Sequence, residues 1–453
     1  MTPSKQPKDQ PWNAPRWKGI TRPYSPADVN RLKGTVHVEY SLARAGAEKL
    51  WKLLRSQPFL PALGALNGPQ AVEMAQAGLK AIYLSHCQLA GDGGRLFSNH
   101  GTPEFISVAA MVRAVNSAFL RADQIAHSRR QGKFDWMLPI VADAETGSGS
   151  SLNAFDSTRN MIEAGAAAVH FDDQLPSARK CGHAINKVLI PVEEAIQKLV
   201  AARLAADTMD VPAIVIARTD AASASFVSSD HDVRDRRFLT GERTAEGFHV
   251  YRGGRHAAIV RALAYAPYAD LLWCETSDLD LHEAREFANA IHARFPGKML
   301  AYNCSPSFHW RARMNEDDIA CFQRDLAAMG YRFQFITLAG YYTLNLSMFQ
   351  FAKEYMHSGM TAYSRVQQLE RDMLDQLGHG KLGDPGFGDA DYHQALAGVM
   401  DHSRRPGDAA PAHAAIELDS LGYNDGEATE RTPMPHLYPS LQSMPLPTAA
   451  AND

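Results

Sequence analysis

The sequence predicts an α/β fold, a (β/α)8 TIM-like barrel, on three observations. Short apolar runs recur along the chain, helix-patterned segments separate them, and nearly every run ends in a polar residue. The runs are 62–66 (ALGAL), 81–85 (AIYLS), 138–143 (LPIVAD), 167–172 (AAVHFD), 213–218 (AIVIAR), 271–276 (LLWCET), 299–305 (MLAYNCS) and 333–338 (FQFITL). They are continuously apolar rather than alternating, which marks strands buried on both faces, as in a parallel sheet. Helical patterns such as 157–166, 193–207 and 317–330 lie between them, and strands alternating with helices make an α/β fold. Eight such units point to a closed barrel rather than an open doubly wound sheet. The runs end in Ser85, Asp143, Asp172, Arg218, Glu275, Asn303 and Thr337. In a barrel all these ends converge on the one face where active sites are built. Polar ends rich in carboxylates and lacking lysine predict a site there, against the plainer alternative that strands end in polar residues on leaving a core.

Taken in order, residues 1–58 form an N-terminal helical extension, polar at first and then amphipathic over 43–54. The barrel occupies 59–345. Its connections at 86–137 and 219–268 are long enough to be functional or to carry elements of their own. Helical character returns in a C-terminal region, 346–402. The stretch 403–453 is rich in Pro, Ala, Gly and Asp and is expected to be a flexible tail unless it docks on a neighbour.

Composition narrows the function classes. The 453 residues are 45% hydrophobic and 21% charged, with 46 Lys+Arg against 50 Asp+Glu and a net charge of -4. That is a globular balance, and it provides no field that would gather nucleic acid or an anionic membrane. Five scattered cysteines without a CxxC pair argue against a disulfide framework or a cysteine zinc site. Residues 1–19 lack an apolar signal core, and no apolar run approaches the roughly 20 residues of a membrane helix, so a cytoplasmic protein is expected. There is no P-loop, no G-x-G-x-x-G after a strand and no H-E-x-x-H.

Three groups of residues could carry chemistry. Asp92, Asp143, Glu145 and Asp172 would sit at strand ends or in adjoining loops, with Glu275 on the same face. Clustered carboxylates need a compensating cation, and hard oxygen donors favour Mg2+, with Mn2+ possible; helix capping is the other use of strand-end acids. In the segment 177–183, Cys181 is flanked by Arg179, Lys180 and His183, positive neighbours that favour a thiolate, and Gly182 lets the backbone approach a ligand. Such a thiol can move a proton or act as a nucleophile. Arg218 offers a planar fork for a carboxylate. Asn303, Ser305 and Ser307 alternate, so an extended backbone would present them to one side, with Thr337 nearby: a small-carboxylate pocket, or ordinary hydrogen bonding of strand ends.

The chain resembles the isocitrate lyase family, of the bacterial type, within the isocitrate lyase and phosphoenolpyruvate mutase superfamily. The resemblance runs from about residue 15 to about 370 and rests on long stretches: 78–85 (GLKAIYLS), 139–149 (PIVADAETGSG), 180–183 (KCGH), 187–191 (KVLIP), 202–221 (ARLAADTMDVPAIVIARTDA), 239–243 (LTGER), 301–308 (AYNCSPSF) and 333–340 (FQFITLAG). It implies a barrel whose C-terminal helices exchange between subunits of a homotetramer, with magnesium at the site. It implies reversible cleavage of a 2-hydroxy tricarboxylate, isocitrate, to glyoxylate and succinate. By position, Asp143 looks like the metal ligand, helped directly or through water by Asp92, Glu145 and Asp172. Cys181 looks like the catalytic acid/base, with His183 beside it. Gly182, His183, Arg218, Asn303, Ser305, Ser307 and Thr337 look like substrate contacts on the succinate side, and Glu275 matches a family acid in that half.

The departures lie on the other half. Where the family reads Ser-Gly-Trp, a tripeptide contacting glyoxylate, this chain has Ser85, His86 and Cys87. Where the family reads Lys-Lys-Cys-Gly-His-Leu-Gly-Gly-Lys, residues 179–187 are RKCGHAINK, and losing two glycines is expected to stiffen the loop. Asp-Gly-Glu-Ala-Gly is here 143–147 (DAETG), and Trp-Glu-Asp-Gln is 171–174 (FDDQ). The resemblance therefore leaves open a methylisocitrate-like lyase releasing pyruvate or another 2-oxo acid. Also open are a superfamily hydrolase or mutase, and a homologue that binds without turnover because His86 fills the pocket.

Overall fold

The computed structural model describes residues 12–92, 107–128, 134–147, 149–180, 184–377 and 389–400. In chain order the strands are β1 (Leu60–Gly64), β2 (Ile82–Leu84), β3 (Ile140–Asp143), β4 (Ala168–Asp172), β5 (Lys187–Leu189), β6 (Ile214–Thr219), β7 (Ala224–Val227), β8 (Leu239–Arg243), β9 (His249–Tyr251), β10 (Leu271–Cys274), β11 (Met299–Asn303) and β12 (Tyr331–Ile336). Eight of them close a parallel barrel in the order β1-β12-β11-β10-β6-β4-β3-β2. Each of the eight apolar runs supplies one barrel strand. The remaining four, β5-β7-β9-β8, form a side sheet built largely from the connection 219–268, a sheet that apolar periodicity did not reveal. The described residues divide into two units, with the boundary between Tyr392 and His393.

The unbroken apolar character of the strands follows from two cores. Tyr83, Val141, Ile214, Ile216, Trp273, Phe333 and Phe335 pack together inside the barrel. Their strand neighbours, among them Ile82, Leu84, Ile140, Ala142, Val215 and Leu272, face the outer helices. With period-two side chains, burial on both faces leaves no polar position to alternate. Closure is tight between β1 and β12: a side chain at Gly64 would place its Cβ 2.0 Å from the Thr337 carbonyl oxygen, so only glycine fits that approach.

Helix Ser41–Ser56 closes the amino-terminal end of the barrel, sending Leu50 and Leu54 into the inner core. An ion-pair lock underlies it. The Asp270 carboxylate accepts from Arg16 Nη1 at 2.7 Å, from Arg203 Nη2 at 2.5 Å and from the Val215 amide at 2.8 Å. Asp207 accepts from Arg22 Nε and from the Tyr24 hydroxyl, both at 2.7 Å, and the Arg16 guanidinium lies 3.7 Å over Trp51. Burial would raise the Asp270 carboxyl, but Arg16 and Arg203 outweigh it and hold it well below the usual carboxylate range. Replacing Asp270 with Asn strands two guanidinium groups and is expected to cost about 3–5 kcal/mol of unfolding free energy in a urea titration. Because the folded value is depressed, the wild-type contribution is complete above the unfolded value of about 3.9 and is lost as pH falls through the folded one. The variant's deficit should shrink accordingly on acidification.

Candidate active site

The polar strand ends meet at the carboxyl-terminal mouth of the barrel, where register sets their neighbours. Asp143 pairs across the ladder with His170, and Asp172 pairs with Arg218. Two sub-sites result, one of carboxylates on β3 and β4 and one around Arg218 on β6.

In the first, one Asp143 oxygen accepts the Glu145 amide at 2.8 Å and the other accepts the His86 amide at 3.3 Å. His170 Nε2 lies 3.3 Å from the same carboxylate and 2.8 Å from the Tyr83 hydroxyl. Burial pulls His170 down to about 4, so its ring is neutral at neutral pH. Burial also works against an ionised Asp143, but His170, Arg179 and Arg218 outweigh it and place the carboxyl below its usual value. His86 adds to the same effect, so Asp143 stays ionised among several basic neighbours.

Arg179 bridges the other two acids, donating from Nε to Asp172 at 2.9 Å and from Nη1 to Glu145 at 3.4 Å. His86 Nδ1 stands 2.5 Å from Glu145 Oε1 as an ion pair, without the alignment of a straight hydrogen bond. Burial would lower His86, but Glu145 and Asp143 override it and raise its pKa. Glu145 itself adopts φ 54°, a left-handed conformation that a non-glycine residue holds only at a cost, in a tightly determined site.

In the second sub-site, Arg218 grips Asp220 through Nε and Nη2, both at 2.9 Å, and its guanidinium lies 4.5 Å over the Trp273 ring. Its Nη1 is 4.0 Å from Glu275 Oε2. Burial, then the nearby Asp220, raise Glu275 despite Arg218, and Asn303 Nδ2 donates to Glu275 Oε1 at 3.2 Å. Asn303 Oδ1 and Glu275 Oε2 are buried without a hydrogen-bond partner among the described residues. Such atoms carry a desolvation cost that a polar ligand would relieve.

The mouth therefore gathers Ser85, His86, Asp143, Glu145, Asp172, Arg218, Glu275, Asn303 and Ser305 as buried residues, with Cys87, Ser307 and Thr337 half-buried. The expectation of one extended face for Asn303, Ser305 and Ser307 is corrected. The strand ends at Asn303, and Pro306–Ser307 form a turn closed by the Ser307 amide on Ser305 Oγ at 3.2 Å. Cys181, Gly182 and His183 lie outside the described residues, as does the side chain of Asp92, which ends helix His86–Asp92. Among the described residues no three His, Cys, Asp or Glu side chains form a ready-made metal cage. The donors at Asp143, Glu145 and Asp172 are nonetheless hard carboxylate oxygens, with Arg179 as the one guanidinium bonded among them. That set suits a hard divalent cation once Arg179 or His86 gives way.

Sequence reasoning passed over His170, Tyr83, Asp220 and Lys187, and took Arg179 only as a charge near the thiol. The loss of glycine before Lys187 is absorbed by Asn186, at φ 57°, a conformation that asparagine tolerates better than most residues.

The isocitrate lyase family model matches residues 7–243 and 241–403. This chain belongs to the isocitrate lyase family. It is 54% identical over 361 residues to an isocitrate lyase of Halalkalibacterium halodurans, covering 79% of this chain and 84% of the relative. It is 53% identical over 372 residues to that of Salmonella typhimurium, covering 79% and 86%. To isocitrate lyase 1 of Mycobacterium tuberculosis it is 50% identical over 366 residues, covering 80% and 86%. Its fold is shared with 2,3-dimethylmalate lyase, a member of the same superfamily, at TM-score 0.50 and 20% identity, covering 75% of this chain and 97% of that one. Family members are metal-dependent carbon–carbon lyases. No helix among the described residues is long and apolar enough to cross a membrane.

Proposed function

We propose that this chain cleaves isocitrate to glyoxylate and succinate. The observation that carries the reading is 50–54% identity to isocitrate lyases over about four-fifths of the chain. The buried, ligand-seeking oxygens beside Arg218 support it.

In this reading Arg218, Asn303, Ser305, Ser307 and Thr337, with Gly182 and His183, bind the succinate portion, while Ser85, His86 and Cys87 face the glyoxylate portion. Asp143, Glu145 and Asp172, with Asp92, would hold Mg2+, for which Mn2+ can substitute. When bound, the ion would supply a positive charge for the substrate's hydroxyl oxygen, whose proton passes to a carboxylate of the site as the 2-oxo group forms. As the carbon–carbon bond breaks, its electron pair passes to the succinate fragment, and the Cys181 thiol delivers the proton that this carbon needs. Glu275, raised by burial, holds Asn303 and faces the same carboxylate group.

Purified protein assayed with isocitrate, with Mg2+ and with chelator, should release glyoxylate and succinate only when the metal is present. Binding without turnover would replace the lyase reading with a non-catalytic one. A second reading is favoured by Cys87, which stands half-buried where the family has tryptophan. The freed volume suits a 2-oxo acid larger than glyoxylate. A higher kcat/KM for methylisocitrate than for isocitrate, with pyruvate released, would establish it.

The protein is further proposed to act in the cytoplasm as a homotetramer that exchanges C-terminal helices. Helices Ala339–Ser358 and Met360–Leu377 expose Phe349, Met356, Met360 and Leu369 at 64–81%, more apolar surface than an isolated chain keeps in water. Light scattering should give about four times the chain mass; a monomer would overturn this.

A further inference from the structure

We infer that Lys187 is a positioning residue for Arg218, acting through Asp220. Lys187 opens β5 in the side sheet, and its side chain is fully buried, with Nζ 2.5 Å from Asp220 Oδ1. The same oxygen accepts Arg218 Nη2 at 2.9 Å, while Asp220 Oδ2 accepts Arg218 Nε at 2.9 Å. One carboxylate is thus shared by a lysine and both donors of one guanidinium edge. It is fixed from behind, since the Asp220 amide donates to Asp173 at 2.9 Å, and Asp173 in turn accepts from Thr219, Tyr265 and Arg261 at 2.7, 2.9 and 3.1 Å.

Two physical consequences follow. The bidentate grip sets the plane of the guanidinium over Trp273 and leaves Nη1 as the edge turned toward Glu275. The lysine also changes the charge. Without it, the buried group of Arg218, Asp220 and Glu275 sets one guanidinium against two carboxyl groups, and Lys187 adds one positive charge to that group. Low polarisability around that charge strengthens its pull on an anion. Having no accessible surface of its own, Lys187 acts on the ligand through its charge and through the carboxylate it shares with Arg218, not by contact.

The inference rests on the proposed role of Arg218 in binding a succinate carboxylate, and the test separates the two. Succinate affinity is measured calorimetrically for wild type, Lys187→Met, Arg218→Gln and the double variant, with thermal melting as a check on folding. Lys187→Met is expected to weaken succinate about tenfold or more, with partial recovery in Lys187→Arg and glyoxylate affinity changed less than twofold. The Lys187 effect should vanish in the Arg218→Gln background, a non-additivity that a general loss of structure does not produce. Should Arg218→Gln weaken succinate while Lys187→Met does nothing, or adds in full to it, the relay is overturned and the binding role stands. Should Arg218→Gln leave succinate affinity intact, the binding role fails and the relay with it. If Lys187→Met does not fold, Lys187→Gln is measured in its place, and wild-type succinate affinity there overturns the relay.

Discussion

Asp143→Asn is expected to lower kcat about 10³-fold or more, the equivalent of roughly 4 kcal/mol of lost charge stabilisation. It should also abolish Mn2+ binding followed by electron paramagnetic resonance. The side chain is oriented by two backbone amides, those of His86 and Glu145, so its oxygens are held in place before any ligand arrives. An amide at this position removes a formal charge and also turns an NH2 group toward one of those two donors. The fold should survive, because the ladder contacts of β3 are made by backbone. Retained Mn2+ affinity together with retained turnover would remove Asp143 from the metal site altogether.

Cys181→Ser is expected to reduce turnover about 10²–10⁴-fold, the usual contribution of a positioned acid or base, while succinate affinity stays within about threefold. A serine hydroxyl has nearly the volume of the thiol but gives up its proton far less readily. The described residues that flank 181–183 are bonded into the site. Arg179 is bonded to Asp172 and Glu145, and the Lys180 amide to Gln174 at 2.9 Å; beyond the stretch, Lys187 is bonded to Asp220. The thiol's proposed role comes from the match of residues 180–183 to the family motif. Full activity in the serine variant would send the proton-transfer role elsewhere.

The barrel was legible in the sequence because strands buried on two faces must be apolar throughout, and eight such runs leave few topologies. The side sheet was not. Strands β7 to β9 are short, with mixed burial, and β8 is mostly exposed at Gly241–Arg243, so no unbroken apolar run marks them. At the mouth, residues that end barrel strands could be named because position in a barrel dictates direction. Asp220 and Lys187 escaped notice because their importance lies in a contact between distant segments, and a buried lysine looks in sequence like any surface lysine. Arg179 was seen as a partner for a thiol. Its bonds to two acids on neighbouring strands depend on how the chain folds back after β4, which spacing does not reveal. The extended reading of Asn303, Ser305 and Ser307 failed at Pro306, which turns the chain as soon as the strand ends.

The lock around Asp270 and Asp207 lies at the opposite end of the barrel from the reactive mouth. The lock shares no residue with the mouth, although Tyr83 and Trp273 of the inner core reach His170 and Arg218 there. Substitution at His86 or Cys87 leaves that lock untouched, so ligand choice there should change with little loss of unfolding free energy. Innovation at one pole is insured by rigidity at the other.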